Sequence, residues 1–235
     1  MTVGYDHTDM LSSFGHLQGQ ALLEEMITNV FGDRLALVSS FGAHSAILLH
    51  MVAQIDRNMN VVFLDTGKLF PETLRYQEKL VEQLGLTNLV AWSPDKEDLE
   101  RDDPSGDLWS TDTDQCCFIR KVLPLNRALK GFDAWITGRK RYQGGSRVDL
   151  ESLEVVDGMT KINPLAYWSR EQVTDYFSEN ELDYHPLYEH GYLSLGCQPC
   201  TRAVGDGADE RSGRWTEKGK TECGIHSLSL RKSDY

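Results

Sequence analysis

No apolar run in these 235 residues approaches the roughly 18–20 residues needed to span a bilayer, so no membrane-spanning helix is expected. The N-terminus, with Asp6, His7 and Asp9 and no basic start before an apolar block, lacks the pattern of a secretory signal. The expected location is therefore the reducing cytoplasm, where a structural disulfide framework is not expected. Internal repeats and low-complexity tracts are absent, which argues against a repeat array. Basic residues are outnumbered, 24 Lys and Arg against 36 Asp and Glu, and the net charge of −12 speaks against nonspecific nucleic-acid binding. Cysteine is scarce too: there are five. In a reducing compartment that makes each a candidate ligand or nucleophile.

What is present is the composition of a soluble globular protein, 40% hydrophobic and 26% charged, in a chain long enough for one large domain with a full core. The cysteines divide four plus one. Cys116 and Cys117 are adjacent, Cys197 and Cys200 form a Cys-x-x-Cys pair, and Cys223 stands alone near the C-terminus. Two close pairs far apart in sequence suit a four-thiolate site for a metal or an iron–sulfur cluster. An adjacent pair fits the usual zinc spacing poorly, whereas a larger cluster accepts neighbouring side chains at different irons; zinc remains the rival. If four thiols are so occupied, Cys223 has no partner for an internal disulfide, and any redox turnover needs an external thiol donor.

Charge is unevenly spread. Nine acidic residues lie between Trp92 and Asp114 against Lys96 and Arg101. Between Arg120 and Arg147 the balance reverses, with Arg120, Lys121, Arg127, Lys130, Arg139, Lys140, Arg141 and Arg147 opposed only by Asp133. Such a concentration inside an acidic protein suggests an anion pocket, or else a solvated basic face.

Apolar runs at Leu35–Phe41, Val61–Leu64, Leu89–Trp92 and Ala134–Thr137 read as buried strands. Helical spacing separates them: about His16 to Phe31, Ala43–Arg57, a helix opened by Pro71 and stopped at Gly85, and one starting near Cys117. Ser169-Arg-Glu-Gln172 is a capping box that opens a helix to about Glu179. This alternation predicts an α/β fold: a single domain with a mostly parallel sheet covered on both faces. Residues 1–33 form a helical lead, 34–190 a nucleotide-binding core, and 191–235 an irregular C-terminal extension.

Two loops leave strands at the same sheet edge, where ligands bind in open parallel sheets. Ser39-Ser40-Phe41-Gly42-Ala43-His44-Ser45 turns strand into helix, presenting backbone N–H groups, hydroxyls and a helix dipole to an anion, or simply turning the chain. Asp65-Thr66-Gly67 ends the second strand; its Asp can orient a nucleotide or cap a turn. Cys223 lies between Glu222 and Gly224 with His226 three residues on; an ordinary thiol, with a pKa of about 8.5, is only a few per cent ionised at neutral pH. His226 or a nearby cation can raise that fraction.

Taken in order, Ser40–Ser45, Phe63-Leu-Asp-Thr-Gly67 with Leu69-Phe-Pro-Glu-Thr73, Cys116-Cys117 with Arg120-Lys121, Gly138 with Lys140-Arg141 and Arg147, Cys197-Gln-Pro-Cys200, and Glu222-Cys-Gly-Ile-His226 resemble assimilatory adenylyl-sulfate reductases. The resemblance covers about Leu35 to His226. It implies a Rossmann-like, adenine nucleotide α-hydrolase-like fold and a [4Fe-4S] cluster on Cys116, Cys117, Cys197 and Cys200. It also implies thioredoxin-dependent (or glutaredoxin-dependent) reduction of adenosine 5′-phosphosulfate to sulfite and AMP in sulfate assimilation and cysteine biosynthesis. Cys223 would be the nucleophile, carrying an S-sulfocysteine, with His226 in support. Substrate would meet Ser40, Phe41, Gly42, Ser45, Asp65, Thr66, Gly67 and Gly138, and the cations Lys121, Lys140, Arg141, Arg147, Arg211 and Arg214. The cluster cysteines favour the substrate without a 3′-phosphate, 3′-phosphoadenosine 5′-phosphosulfate being the alternative. A homo-oligomer is compatible with the sequence.

Two rivals stand beside this reading. A sulfurtransferase on the same fold, acting on RNA, needs a Ser-Gly-Gly-x-Asp-Ser loop where this chain has Phe41 and Ala43-His44. A cluster-bearing nucleotide sensor without turnover has no use for Cys223.

Overall fold

Short apolar strands alternating with amphipathic helices bury most of their apolar side chains as a sheet covered on both faces. The computed structural model, which describes residues 7–156, 158–205, 207–216 and 218–226, has that form. In chain order it runs α1 (His7–Phe14), α2 (Gly19–Glu24) continued by a π-helical stretch (Glu25–Phe31), β1 (Leu35–Ser39), α3 (Ser45–Ile55), β2 (Asn60–Leu64), α4 (Pro71–Leu84) and β3 (Leu89–Trp92). There follow α5 (Lys96–Asp102), α6 (Leu108–Thr111), α7 (Thr113–Cys117), a second π-helical stretch (Phe118–Val122) and α8 (Leu123–Ala128). The chain then forms β4 (Ala134–Ile136), β5 (Leu153–Val156), β6 (Met159–Ile162) and α9 (Arg170–Glu179).

The sheet order is β3-β2-β1-β4-β6-β5, parallel except for β5, which pairs antiparallel with β6. Register sets the two faces, because successive strand residues point opposite ways. Leu37 lies between Val61 and Ile136, and this face packs into the larger core with Leu22, Met26 and Ile47. Ala36 lies between Asn60 and Trp135; on Trp135's face Val62 and Leu64 pack with Leu125, Ala128 and Leu129. Burying a Leu or Ile side chain contributes roughly 1.5–3 kcal/mol, so these two clusters hold the sheet edge fixed for what lies above it.

The helix signals act as expected. Pro71 occupies the first turn of α4 and Gly85 closes it in a left-handed conformation. Ser169 Oγ accepts from the Gln172 N–H at 3.1 Å while Gln172 Oε1 accepts from the Ser169 N–H at 2.8 Å. Several boundaries differ. The helix expected from His16 is two pieces, with α1 before it, and Met10, Leu22, Leu23 and Ile27 from this region enter the main core. β1 stops at Ser39 because Phe41 takes φ 47° and turns the chain. The β5–β6 hairpin was not expected at all. The first six residues and the last nine, which carry no part of the resemblance, lie outside the described residues. Among the described residues no helix is long and apolar enough to cross a membrane.

Candidate active site

The strand order reverses direction at β1, which neighbours β2 on one side and β4 on the other. A crevice opens above such a reversal, and here it is a pocket of about 220 Å³. The loops after β1, β2 and β4 form its floor, through Ser39, Ser40, Gly42–Ser45, Thr66 and Thr137–Lys140. The β1 loop is pinned by its own hydroxyls. Phe41 N–H donates to Ser39 Oγ at 3.2 Å and Gly42 N–H to Ser45 Oγ at 2.9 Å, so two N–H groups expected to meet an anion are already engaged. The left-handed Phe41 drives its ring into the core, edge-on to Phe63 at 5.2 Å.

Cations do the work left by those N–H groups. Lys121, Arg139, Lys140, Arg147, Arg211 and Arg214 line the pocket against one carboxylate, Glu222. Burial drives Lys140 down to about 8, Glu210 opposing and Arg147 adding to the drop. Its Nζ donates to the Gly138 carbonyl at 3.1 Å. Glu222 is held by Arg147 through Nε at 2.7 Å and Nη2 at 3.0 Å, and by Arg211 at 3.2 Å. Burial pushes the Glu222 carboxyl up, but Arg147 and then the other guanidinium groups outweigh it and leave it below the usual range. Arg214 lies so close over the chain that a Cβ at Gly196 would come within 2.3 Å of its Nη2.

Cys223 lines this pocket beside the Glu222 clamp, partly exposed. His226 is stacked on Trp135, ring centroids 5.2 Å apart and planes within 5°. Burial and then the surrounding Arg139, Arg147, Lys161 and Arg211 hold His226 well below its ordinary pKa, so it is neutral. A neutral imidazole lends no positive charge to a thiolate; any support it gives is packing. Seven buried side-chain polar atoms among the described residues have no hydrogen-bond partner, and four belong to residues of this pocket: Trp135 Nε1, Arg214 Nε, Trp215 Nε1 and His226 Nδ1. Leaving such groups unmade is costly, and three of the four can only donate. Those atoms are closed to solvent, and it is the cations of its wall that make the pocket a site for an anion.

The other four thiols meet elsewhere. Asp112 Oδ1 accepts from the Gln115 N–H at 3.0 Å and starts α7, which carries Cys116 and Cys117 inward. The loop bearing Cys197 is paired to the β2 loop: Leu69 bridges Cys197, and Gln198 N–H donates to the Lys68 carbonyl at 2.8 Å. Cys116, Cys117, Cys197 and Cys200 thereby line one void of about 10 Å³ with Lys68, Arg120, Lys121, Trp109 and Trp215, and no carboxylate among them. Burial, then Cys117 and Cys197, pushes the Cys116 thiol up to about 11. Among the described residues no three His, Cys, Asp or Glu side chains are arranged to hold a single metal ion. Four thiols with cations beside them are the kind of donor set that an iron–sulfur cluster takes.

Lys121 and Trp215 line both the pocket and the void. Burial works against the Lys121 charge, but Cys197 and Cys223 outweigh it and raise the ammonium to about 12. Thr66 makes the second link, its Oγ1 lying 3.2 Å from Cys197 Sγ.

Of the residues singled out in the sequence, the pocket brings together Ser40, Gly42, Ser45, Thr66, Lys121, Gly138, Lys140, Arg147, Arg211, Arg214, Cys223 and His226. Four are not brought to it. Phe41 is core; Asp65 caps a turn, accepting from the Gly67 N–H at 2.9 Å; Gly67 turns the chain at φ 68°; and Arg141 points to Glu151 and Tyr167 on the surface. Arg139 takes the place expected of Arg141, fixed by Asn163, Thr137 and Glu154. Trp135, Gln143 and Glu222 also line the pocket without having been expected there, and so does His44, whose role the sequence left open. Burial, with Lys140 and Arg170, drives His44 down to about 3, and it is neutral as well.

The chain matches the model of the phosphoadenosine phosphosulfate reductase domain over residues 34–203. It is 49% identical over 220 residues to the adenosine 5′-phosphosulfate reductase of Mesorhizobium japonicum, covering 94% of this chain and 87% of that one. It is 42% identical over 216 residues to the phosphoadenosine 5′-phosphosulfate reductase of Gloeobacter violaceus, covering 90% and 89%. Among solved structures, the phosphoadenylyl-sulfate reductase of Candida auris in a phosphate complex aligns with a TM-score of 0.71 at 27% identity, covering 87% of this chain and all of that one.

Proposed function

The chain belongs to the phosphoadenosine phosphosulfate reductase domain family, and from that membership we infer that it reduces adenosine 5′-phosphosulfate to sulfite and AMP. One observation supports the chemistry above the rest: Cys223 stands alone in a cation-lined pocket, apart from the four thiols of the void. The Cys223 thiolate attacks the sulfur of the phosphosulfate, the bond from sulfur to the phosphate oxygen breaks, and AMP leaves with that electron pair. An S-sulfocysteine remains. Two like unit charges about 4 Å apart repel by about 4 kcal/mol at an effective dielectric near 20. Lys121, Lys140, Arg147, Arg211 and Arg214 offset that repulsion before substrate arrives, which is where preorganised charge is most effective.

A protein dithiol of the thioredoxin or glutaredoxin kind completes the cycle. One thiolate attacks Cys223 Sγ and expels sulfite; the second resolves the mixed disulfide and restores Cys223. The dithiol supplies both electrons. Such a donor belongs to the cytoplasm. Cys116, Cys117, Cys197 and Cys200 would hold a [4Fe-4S] cluster, which would supply a charged centre to which Lys121, lining the same void, could respond. Anaerobically purified protein is expected to contain roughly four iron and four sulfide per chain, and Cys197→Ser to lose both. Zinc without sulfide overturns that assignment.

The test of the whole reading is sulfite release from adenosine 5′-phosphosulfate, and from its 3′-phosphorylated form, with reduced thioredoxin. Mass spectrometry after substrate alone should place the adduct on Cys223; an adduct absent or elsewhere ends the proposal. Lys140 gives a pH signature. Below about 8 it is charged and attracts the anion; above, it is neutral. AMP affinity should therefore weaken as pH rises through 8, by at most about tenfold per unit, and calorimetry on Lys140→Met should show that slope gone. An unchanged slope assigns the titration to another group.

A further inference from the structure

A fully buried lysine is rare, because removing an ammonium from water costs several kcal/mol unless something answers its charge. Lys161 is such a residue: it sits in β6, 2% exposed, in register with Trp135 on one side and Glu154 on the other. Its Nζ donates to the His226 carbonyl at 2.9 Å and lies 5.7 Å from the centre of the Trp135 ring. The His226 ring is stacked on that same indole, and Ile225 packs into the cluster formed by Leu64, Trp135 and Met159. Gly224 enables the approach through its backbone, at φ 95°.

We propose that Lys161 is a positioning residue that seats the segment carrying Cys223 on the sheet, and so sets the place of the reactive thiol. Cys223 lies between two restraints. On one side Glu222 is clamped by Arg147 and Arg211, which also face the pocket where an anion binds. An entering phosphosulfate competes with Glu222 for those guanidinium groups and loosens that clamp. On the other side Lys161 itself does not line the pocket, although the Trp135 and His226 rings beside it do. Its bond is to a backbone carbonyl for which an entering anion does not compete, so it persists while substrate binds. Three residues separate Cys223 from the His226 carbonyl, and that tether spans at most about 10 Å. The inference rests on the reading of Cys223 as the nucleophile, but the seat itself is measurable without turnover.

In the full chain, Lys161→Met keeps the bulk of the side chain and removes the donor. The rate of iodoacetamide alkylation of Cys223, followed by peptide mass spectrometry, should rise about tenfold, the scale of one charge-assisted hydrogen bond. kcat for sulfite release should fall by a similar factor, with AMP affinity and KM within about twofold, and Lys161→Arg should recover most of both. Should Lys161→Met not fold, Lys161→Leu, which also lacks a donor, provides the same comparison. Unchanged alkylation overturns the seat. So does loss of AMP affinity in step with kcat, since that marks collapse of the sheet edge rather than release of the thiol. If wild-type protein forms no adduct on Cys223, the functional reading fails, while the alkylation result still decides whether Lys161 anchors the segment.

Discussion

Cys223→Ser should bind AMP as the wild type does, match it in iron and sulfide content, and release sulfite at least about 10⁴-fold more slowly, the range seen when a catalytic nucleophile is removed. The reason is twofold. A serine hydroxyl is not ionised near neutral pH, whereas even an ordinary thiol is a few per cent thiolate. An oxygen adduct, if formed, would also offer the dithiol no sulfur–sulfur bond to attack. A nucleotide sensor without turnover would behave differently: neither wild type nor variant would release sulfite. Sulfite release retained by the variant removes Cys223 from the reaction.

The second large effect falls on Asp103→Asn. The Asp103 side chain is fully buried and the Arg120 side chain 8% exposed. Asp103 Oδ2 accepts from Arg120 Nη2 at 2.6 Å and Nε at 3.2 Å, while Oδ1 accepts from the Leu108 N–H at 3.0 Å. Arg120 Nη1 in turn donates to the Thr66 carbonyl at 2.9 Å, and Thr66 touches Cys197. Removing the carboxylate charge leaves a buried guanidinium unpaired beside the thiol void. That costs about 3–5 kcal/mol and should lower the thermal midpoint by about 10 °C. Replacing both partners with apolar residues, Asp103→Leu with Arg120→Met, should restore much of the loss. A midpoint within about 2 °C of wild type in the single variant would refute the account.

This pair also gives a pH dependence whose sign is fixed. Burial pushes the Asp103 carboxyl up, but the hydrogen bonds from Arg120 and the Leu108 N–H outweigh it and hold it below the usual carboxylate range. Its contribution is therefore complete above the unfolded value of about 3.9 and drains away as pH falls through the lower folded one. Asp103→Asn should flatten that part of the acid unfolding curve.

β1 to β4 were legible because each is essentially an apolar run, and Leu89–Trp92 matches residue for residue. Helix ends were legible where one residue type has one use, as with Pro71, Gly85 and Ser169. β6 was hidden by its chemistry: Thr160 and Lys161 are polar yet buried, so no alternation marks the strand. The two π-helical stretches carry no composition signal, and the second shifts Arg120 and Lys121 relative to the thiols by a step that α-helical spacing cannot supply. Asp65 was ambiguous for a physical reason, since the carboxylate that orients a nucleoside and the one that caps a turn are the same residue in the same loop. Arg141 and Arg139 differ only in which way one residue faces after the strand ends. Sequence spacing placed the charge in the correct loop but could not choose its direction.

The cations that line the pocket, Lys121, Lys140, Arg147, Arg211 and Arg214, bear on how this protein should be handled in solution. Any small oxyanion in the assay medium is a counter-ion for them. Sulfate and phosphate buffers will therefore act as competitive inhibitors, and apparent affinities recorded in them will read low. Titrations in a zwitterionic buffer with chloride as the counter-ion give the intrinsic value, and the gap between the two media measures how strongly the cationic wall holds an inorganic guest.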